Sequence, residues 1–394
     1  MGEKERQLFL HLGLPKSGTT SLQDVMRHHR EELLQQGFCH PEVGHSSHFL
    51  AALEMTQKHE RWGRTAEEVS GTFAKLLEVG RQSGAPRVVI SHEIFGQALP
   101  EQVPQILEAA SDFEVSIILT VRDLGRVLPA AWQEWVKNGH KGTFDDFVAL
   151  KGSRLPDVAE PGVLFWRIQN VAEVLDRWAP HVPSERVHLV PCPPPGSAPD
   201  ELWRRFAEAL GCDPSVVDIS EVPTSNVSIG AAQVTFLARV NRALGTRLPQ
   251  PHADRLRKHW LAQQLLSKVD GVKAVAPPDV VERFAAVSHE WVRTIKEREV
   301  VIHGDLDDLL PRITSPAETG KVVRHPDDTT AEEQLEGLHE TVAEMLLRIW
   351  QAEERATQAE ERARAAEART KQLLGAGALD RGRHLLKQAL KRRP

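Results

Sequence analysis

Near the N-terminus an apolar run (Leu8, Phe9, Leu10, Leu12) stops at Gly13. A short loop carrying Pro15, Lys16, Ser17 and Gly18 leads straight into Thr19, Thr20 and Ser21, which open a helical pattern. A strand, a glycine-bearing loop and a helix start in immediate succession constrain this chain more than any other stretch. The free N–H groups of the first helical turn and the positive end of the helix dipole converge on one point, a place for a phosphate-like anion. Gly13 and Gly18 have the separation of a Walker A loop, G-x-x-x-x-G-K-[ST]. Thr19, however, stands where that motif has its lysine, and the lysine lies inside the loop at Lys16.

The rest of the chain points to a sheet in which such a loop belongs. Arg87–Ser91 and Val115–Val121 are near-continuous apolar runs, and Val187–Val190 is a third. Runs of this kind, buried on both faces and alternating with helical patterns, indicate parallel strands. Helices are expected over 22–36, with an interruption near His28–Arg30, and over 65–83, 100–110, 163–178, 200–210, 226–245, 251–269 and 279–298. Pro193, Pro194 and Pro195 cannot continue the strand before them. The expected fold class is therefore α/β, a P-loop-like parallel sheet flanked by helices, spanning residues 1–311 with a helical insert at about 226–298.

Beyond this region the composition changes. Residues 312–330 are rich in Pro, Thr, Asp and Gly and read as a linker. Leu335, Leu338, Val342, Met345, Ile349 and Ala352 then begin a series spaced alternately by three and four, continued by Ala356, Ala359, Ala363, Ala366, Thr370 and Leu373. That spacing predicts a coiled-coil helix over 331–375 and a possible homo-oligomer through it. Alanine knobs bury little area, so the second half of the seam is the weaker one. Residues 376–394 form a basic tail.

Composition narrows the function. The formal net charge is −6, so no global basic field favours nucleic acid. The three cysteines (Cys39, Cys192, Cys212) are too far apart for a disulfide framework or a zinc site and fit a reducing compartment. The first seven residues do not read as a signal peptide, and no apolar stretch is long enough for a transmembrane segment, so a cytoplasmic location is expected.

The displaced lysine gives the N-terminal loop the form Pro15-Lys16-Ser17-Gly18-Thr19-Thr20. It resembles the 5′-phosphosulfate loop, P-K-[ST]-G-T-T, of bacterial-type sulfotransferases that use 3′-phosphoadenosine 5′-phosphosulfate (PAPS). The resemblance extends over about residues 7–311. It implies PAPS as co-substrate, no metal, and an acceptor hydroxyl or amine on a small molecule or glycan. Gly13, Pro15, Ser17, Gly18, Thr19 and Thr20 would cradle the 5′-phosphate, and Lys16 would serve the leaving oxygen. The strand ending Thr120-Val121-Arg122-Asp123 resembles the family's 3′-phosphate motif, in which Arg122 binds the second phosphate. A guanidinium suits that task because its donors form a bidentate fork. The serine that usually follows eight positions later is Ala130 here, and Arg126, one turn away from it, is the expected substitute. Trp132 and Trp135 on the same stretch read as core.

Transfer also needs a base. Ser91-His92-Glu93 follows a strand, so it falls at the sheet's carboxyl edge. Glu93 is the first candidate and His92 the second, with His45 and His48 as a third option. Two alternatives stay open. One is a non-catalytic, sulfotransferase-like PAPS/PAP-binding or scaffold protein, PAP being the 3′,5′-bisphosphate product. The other is a P-loop nucleotide kinase, which the missing Walker lysine opposes.

Overall fold

The computed structural model describes residues 6–152, 162–223, 228–249, 252–312 and 324–390, and divides the chain into two units, Met1–Gln334 and Leu335–Pro394. The first unit is an α/β structure around a six-stranded, all-parallel sheet. Its strands are β1 (Arg6–Gly13), β2 (Phe38–Cys39), β3 (Arg87–Ser91), β4 (Phe113–Val121), β5 (Val187–Pro191) and β6 (Val301–Ile302), in the order β2-β3-β1-β4-β5-β6. Both faces are covered, as the apolar runs require. Leu8, Leu10, Leu12, Ile90, Ile117 and Leu119 enter one core, and Phe9, Val89, Ile118 and Val190 enter another. Each such fully buried side chain contributes about 1.5–3 kcal/mol.

From β1 the chain runs to the edge strand β2 and returns to β3 beside β1, and then builds β4, β5 and β6 in order on the other side. The β1–β4 boundary is therefore the point where connections diverge, and the carboxyl ends of the strands there are where open α/β sheets place a ligand crevice. Backbone hydrogen bonds beyond the ladder tie those ends together. Leu14 N–H donates to Thr120 O at 2.7 Å, His92 N–H to His11 O at 3.1 Å and Cys192 N–H to Val121 O at 2.7 Å. The β1–β4 register shifts between His11 and Gly13, so the strand bends as it feeds the loop.

Several helices differ from the sequence pattern. The stretch expected as one helix over 65–83 is two, Ala66–Val69 and Thr72–Gln82. Gly71 turns left-handed between them, at φ 71°, and the Glu54 carboxylate caps the second helix by accepting from Gly71 N–H at 2.6 Å and Phe73 N–H at 2.9 Å. The stretch 163–178 is likewise split, into Gly162–Gln169 and Val171–Trp178, with the Asn170 side chain capping the second by accepting from Ala172 N–H. β2 is only two residues long and carried no readable pattern. Residues 254–265 are wound as a π-helix.

Of the stretch read as a linker, 313–323 lies outside the described residues, while Asp327 caps the helix that starts at Phe144. Its carboxylate accepts from Phe144 N–H at 2.7 Å and Asp145 N–H at 2.9 Å. In the second unit Leu338–Leu390 is one continuous helix, and residues 391–394 of the basic tail lie outside the described residues. Val342, Met345 and Ile349 are exposed along the predicted seam, and Leu346, Leu347 and Trp350 are exposed beside it. No helix among the described residues is long and apolar enough to cross a membrane.

Candidate functional site

The loop after β1 folds as a nest beneath helix α1 (Thr19–His28). Gly18 sits at the helix N-cap with φ 85°, and no side chain caps α1. The first-turn N–H groups of Thr19, Thr20 and Ser21 therefore have no intrahelical acceptor, and they sit just beyond the carboxyl end of β1. The left-handed backbone at Gly18 calls for glycine, and a Cβ there would also push aside the end of the Leu202 side chain, 2.4 Å from Cδ2. Lys16 also has a positive φ, 69°, a conformation costing roughly 1–3 kcal/mol for a non-glycine residue. The surroundings hold it there: Pro15 O accepts from Gln169 Nε2 at 2.9 Å, and Lys16 O accepts from Arg122 Nη1 at 3.3 Å.

Not every hydroxyl of the motif faces the crevice. Ser17 is fully buried; its Oγ donates to Leu14 O and lies 2.6 Å from Thr120 Oγ1. Thr19 is buried too, with Oγ1 at 3.4 Å from Leu14 O. Their hydroxyls brace the loop from below, leaving backbone N–H groups and half-buried Thr20 toward the crevice. Beneath Ser17, fully buried His11 joins three strands: Nδ1 lies 2.8 Å from Ser91 Oγ and Nε2 lies 3.0 Å from Thr120 Oγ1. Burial, helped by His92, pushes the His11 imidazole down to about 3, so it is a neutral brace.

Arg122 leaves the end of β4 beside the loop. Its Nε is buried without a partner. Burial and the adjacent Arg126 push its guanidinium below the usual range, and Cys192 and Asp123 offset this in part. An orphaned donor and two crowded guanidiniums are what a bound phosphate would relieve. Arg126 is differently placed, because its donors are engaged. It pairs with Asp123, and it donates to Pro193 O at 2.7 Å and Cys192 O at 3.3 Å. Arg126 thus ties the β4 and β5 carboxyl ends together, and half-buried Ala130 supplies no donor on the next turn.

The structure brings Glu93 to the loop. A Cβ on Gly13, itself at φ 71°, would fall 2.6 Å from Glu93 Cβ, so the two chain segments touch. His92 lies beside Glu93, with Nδ1 at 3.9 Å from Glu93 Oε2, and burial lowers its imidazole while Glu93 partly offsets that. Its Nδ1 accepts from Ile94 N–H at 3.2 Å, which places the ring proton on Nε2 and leaves no free lone pair. The His45/His48 pair separates. His45 is exposed, whereas His48 donates from Nε2 to Pro41 O at 2.6 Å and accepts at Nδ1 from Ser91 N–H at 3.0 Å. Burial pushes His48 down to about 4.

The sequence reading did not include Glu134. It lies on the Leu124–Lys137 helix, where it accepts from Lys16 Nζ at 2.9 Å and Lys258 Nζ at 2.6 Å. Burial pushes this carboxyl up, but Lys16 and Lys258 outweigh burial and hold it at about 2. Burial lowers nearby Lys137 to about 8, with Glu134 partly offsetting. Helical spacing could have found Glu134, since it lies four residues past Ala130 on the same face. Nothing local marks Lys258, which arrives on the π-helix. Trp132 is fully buried, and Trp135 stacks on His140 with ring centroids 4.5 Å apart.

No family model matches the chain, and no curated protein does. Among solved structures, a sulfotransferase from Alicyclobacillus acidocaldarius is similar at 14% identity and TM-score 0.40, over 74% of this chain and 95% of that one. A likeness this distant fixes neither family nor activity.

Proposed function

We propose that this chain transfers a sulfuryl group from PAPS to a hydroxyl or amine acceptor. The observation that carries the reading is the pairing of two anion-receptive features across the β1–β4 crevice: the uncapped α1 N-terminus with Lys16 in its loop, and Arg122 with its orphaned Nε. A donor with a 5′-phosphosulfate and a ribose 3′-phosphate matches two such anchors. In the transfer the acceptor oxygen or nitrogen bonds to sulfur as the bridging S–O bond breaks. The electron pair goes to the departing phosphate and the acceptor proton to Glu93. Lys16 neutralises charge on the bridging oxygen, and the α1 N–H groups hold the 5′-phosphate. A nucleotide kinase is disfavoured by Thr19, buried where the Walker lysine would be. A PAP-binding module without turnover draws on the Lys16–Glu134 pair, which neutralises the cation that transfer needs.

Binding of PAP, followed by thermal shift and calorimetry, tests the donor site. PAP is expected to outrank ATP with Mg²⁺. Arg122→Ala is expected to weaken PAP by about 10- to 100-fold, corresponding to the roughly 1.5–3 kcal/mol of a charge-assisted hydrogen bond. Equal PAP affinity in the variant removes Arg122 from the site.

The second unit is proposed to self-associate through Leu338, Val342, Met345 and Ile349. Sedimentation of the full chain is expected to give a dimer or larger. Val342→Glu with Ile349→Glu is expected to return it to monomer without altering PAP affinity.

A further inference from the structure

Beyond the donor crevice, the carboxyl edge of β3 carries a group of cations. The turn after the Ser47–Met55 helix is set by Gln57 at φ 54°, and Lys58 follows it. Lys58 Nζ donates to Gln97 O at 2.7 Å and to Gln97 Oε1 at 3.3 Å, in the same loop as Glu93. The charge of Arg167, on the helix whose Gln169 supports Pro15, acts on Lys58, as do those of Arg61 and Arg177. Arg177 is a buried strut. It donates to Gly96 O at 2.9 Å and Arg167 O at 3.0 Å, and Glu173 lies 3.9 Å from it. Lys58, exposed Arg61 and half-buried Arg167 have no carboxylate partner among the described residues. Burial and these three guanidiniums push the Lys58 ammonium down to about 8. Like charges crowded without a counter-ion lose energy that an anion would restore.

An aromatic platform adjoins them. Trp62, 45% exposed, packs edge-on against Phe49 with centroids 5.4 Å apart, and Phe49 lies 5.3 Å from the His92 ring. The platform therefore leads back to the residue preceding Glu93. An exposed tryptophan beside unpaired guanidiniums offers an apolar face and charged forks together.

We propose that Lys58, Arg61 and Arg167 form the acceptor subsite, that the acceptor is an acidic saccharide whose carboxylate or sulfate they hold, and that a sugar face lies on Trp62. This rests on the sulfuryl-transfer reading for its chemistry, but the subsite can be measured apart from it. The test uses the full chain with PAP present, which blocks the donor anchors, and titrates a heparin tetrasaccharide against neutral N-acetyllactosamine by calorimetry. The wild type is expected to bind the tetrasaccharide at least tenfold more tightly than the neutral sugar. Lys58→Gln with Arg167→Gln is expected to abolish that preference while the PAP-induced thermal shift stays, which shows the variant is folded. No tetrasaccharide binding, equal binding of the neutral sugar, or an unchanged preference in the variant overturns the subsite. If PAP itself does not bind the wild type, the donor reading fails, and the same titration without PAP still decides the subsite.

Discussion

Replacing Lys16 by alanine is expected to lower turnover with PAPS by about 10²–10³-fold, equivalent to roughly 2.7–4 kcal/mol of transition-state stabilisation. PAP affinity should stay within a few-fold. The split follows from geometry. On the proposed reading, the first-turn N–H groups of α1 and the Arg122 guanidinium hold phosphates whether or not Lys16 is present. In the proposed transfer the ammonium would act where charge develops, at the bridging oxygen, and the product bisphosphate carries no such group. The cation is held ready by Glu134, 2.9 Å from Lys16 Nζ, with Lys258 on the other carboxylate oxygen. An incoming phosphosulfate must take Lys16 from that carboxylate, and Lys258 keeps Glu134 paired when it does, so no buried charge is stranded. The check is initial-rate kinetics with labelled PAPS alongside PAP calorimetry. Turnover within tenfold of wild type removes Lys16 from the chemistry, and loss of PAP binding makes it a cradle residue instead.

Glu93→Gln carries the second large expected effect, a fall in turnover of about 10²–10⁴-fold, the usual contribution of a positioned general base. The amide keeps the shape of the side chain, so the contact with Gly13 and the loop survives, and PAP affinity should not move. The neighbouring imidazoles do not replace it. The His92 Nδ1 lone pair is engaged by Ile94 N–H, and both His48 nitrogens are committed to backbone groups. Among these neighbours the proposal leaves proton acceptance to the Glu93 carboxylate, whose side chain is 31% exposed. Single-turnover measurement of the PAPS-saturated enzyme reads the chemical step directly. A rate unchanged by the substitution assigns the base elsewhere.

Much of the fold follows from local pattern. The strands over 87–91, 115–121 and 187–190 are continuous apolar runs because both faces of a parallel sheet are buried, and burial leaves a signature in every residue of such a strand. The interruption near His28–Arg30 is present as the break at His29 between Thr19–His28 and Arg30–Gln35. The breaks at Gly71 and Asn170 were not legible. Helical periodicity runs straight through Gly71, and the left-handed turn there is held by the remote Glu54 carboxylate, which caps the second helix.

The candidate site divides along the same line. The proposed anion cradle is only partly local: Gly13 and Gly18 adopt left-handed conformations that glycine itself allows, whereas Lys16 is held at positive φ by the remote Gln169 and Arg122. The sequence alone determined a parallel α/β sheet with such a cradle at the end of β1, and it placed Arg122 and Glu93 at the same sheet edge. Only the tertiary structure decided which side chains face the crevice. It turned the Ser17 and Thr19 hydroxyls inward, committed Arg126 to Asp123 and the β5 loop, and set Glu134 and Lys258 around Lys16. It also gathered Lys58, Arg61 and Arg167 without carboxylate partners among the described residues. The deciding contacts, Ser17 with Thr120, Arg126 with Pro193, and Glu134 with Lys16 and Lys258, join residues tens to more than a hundred positions apart. Their partners are set by the packing of whole helices on the sheet, and no short-range periodicity or motif encodes that packing.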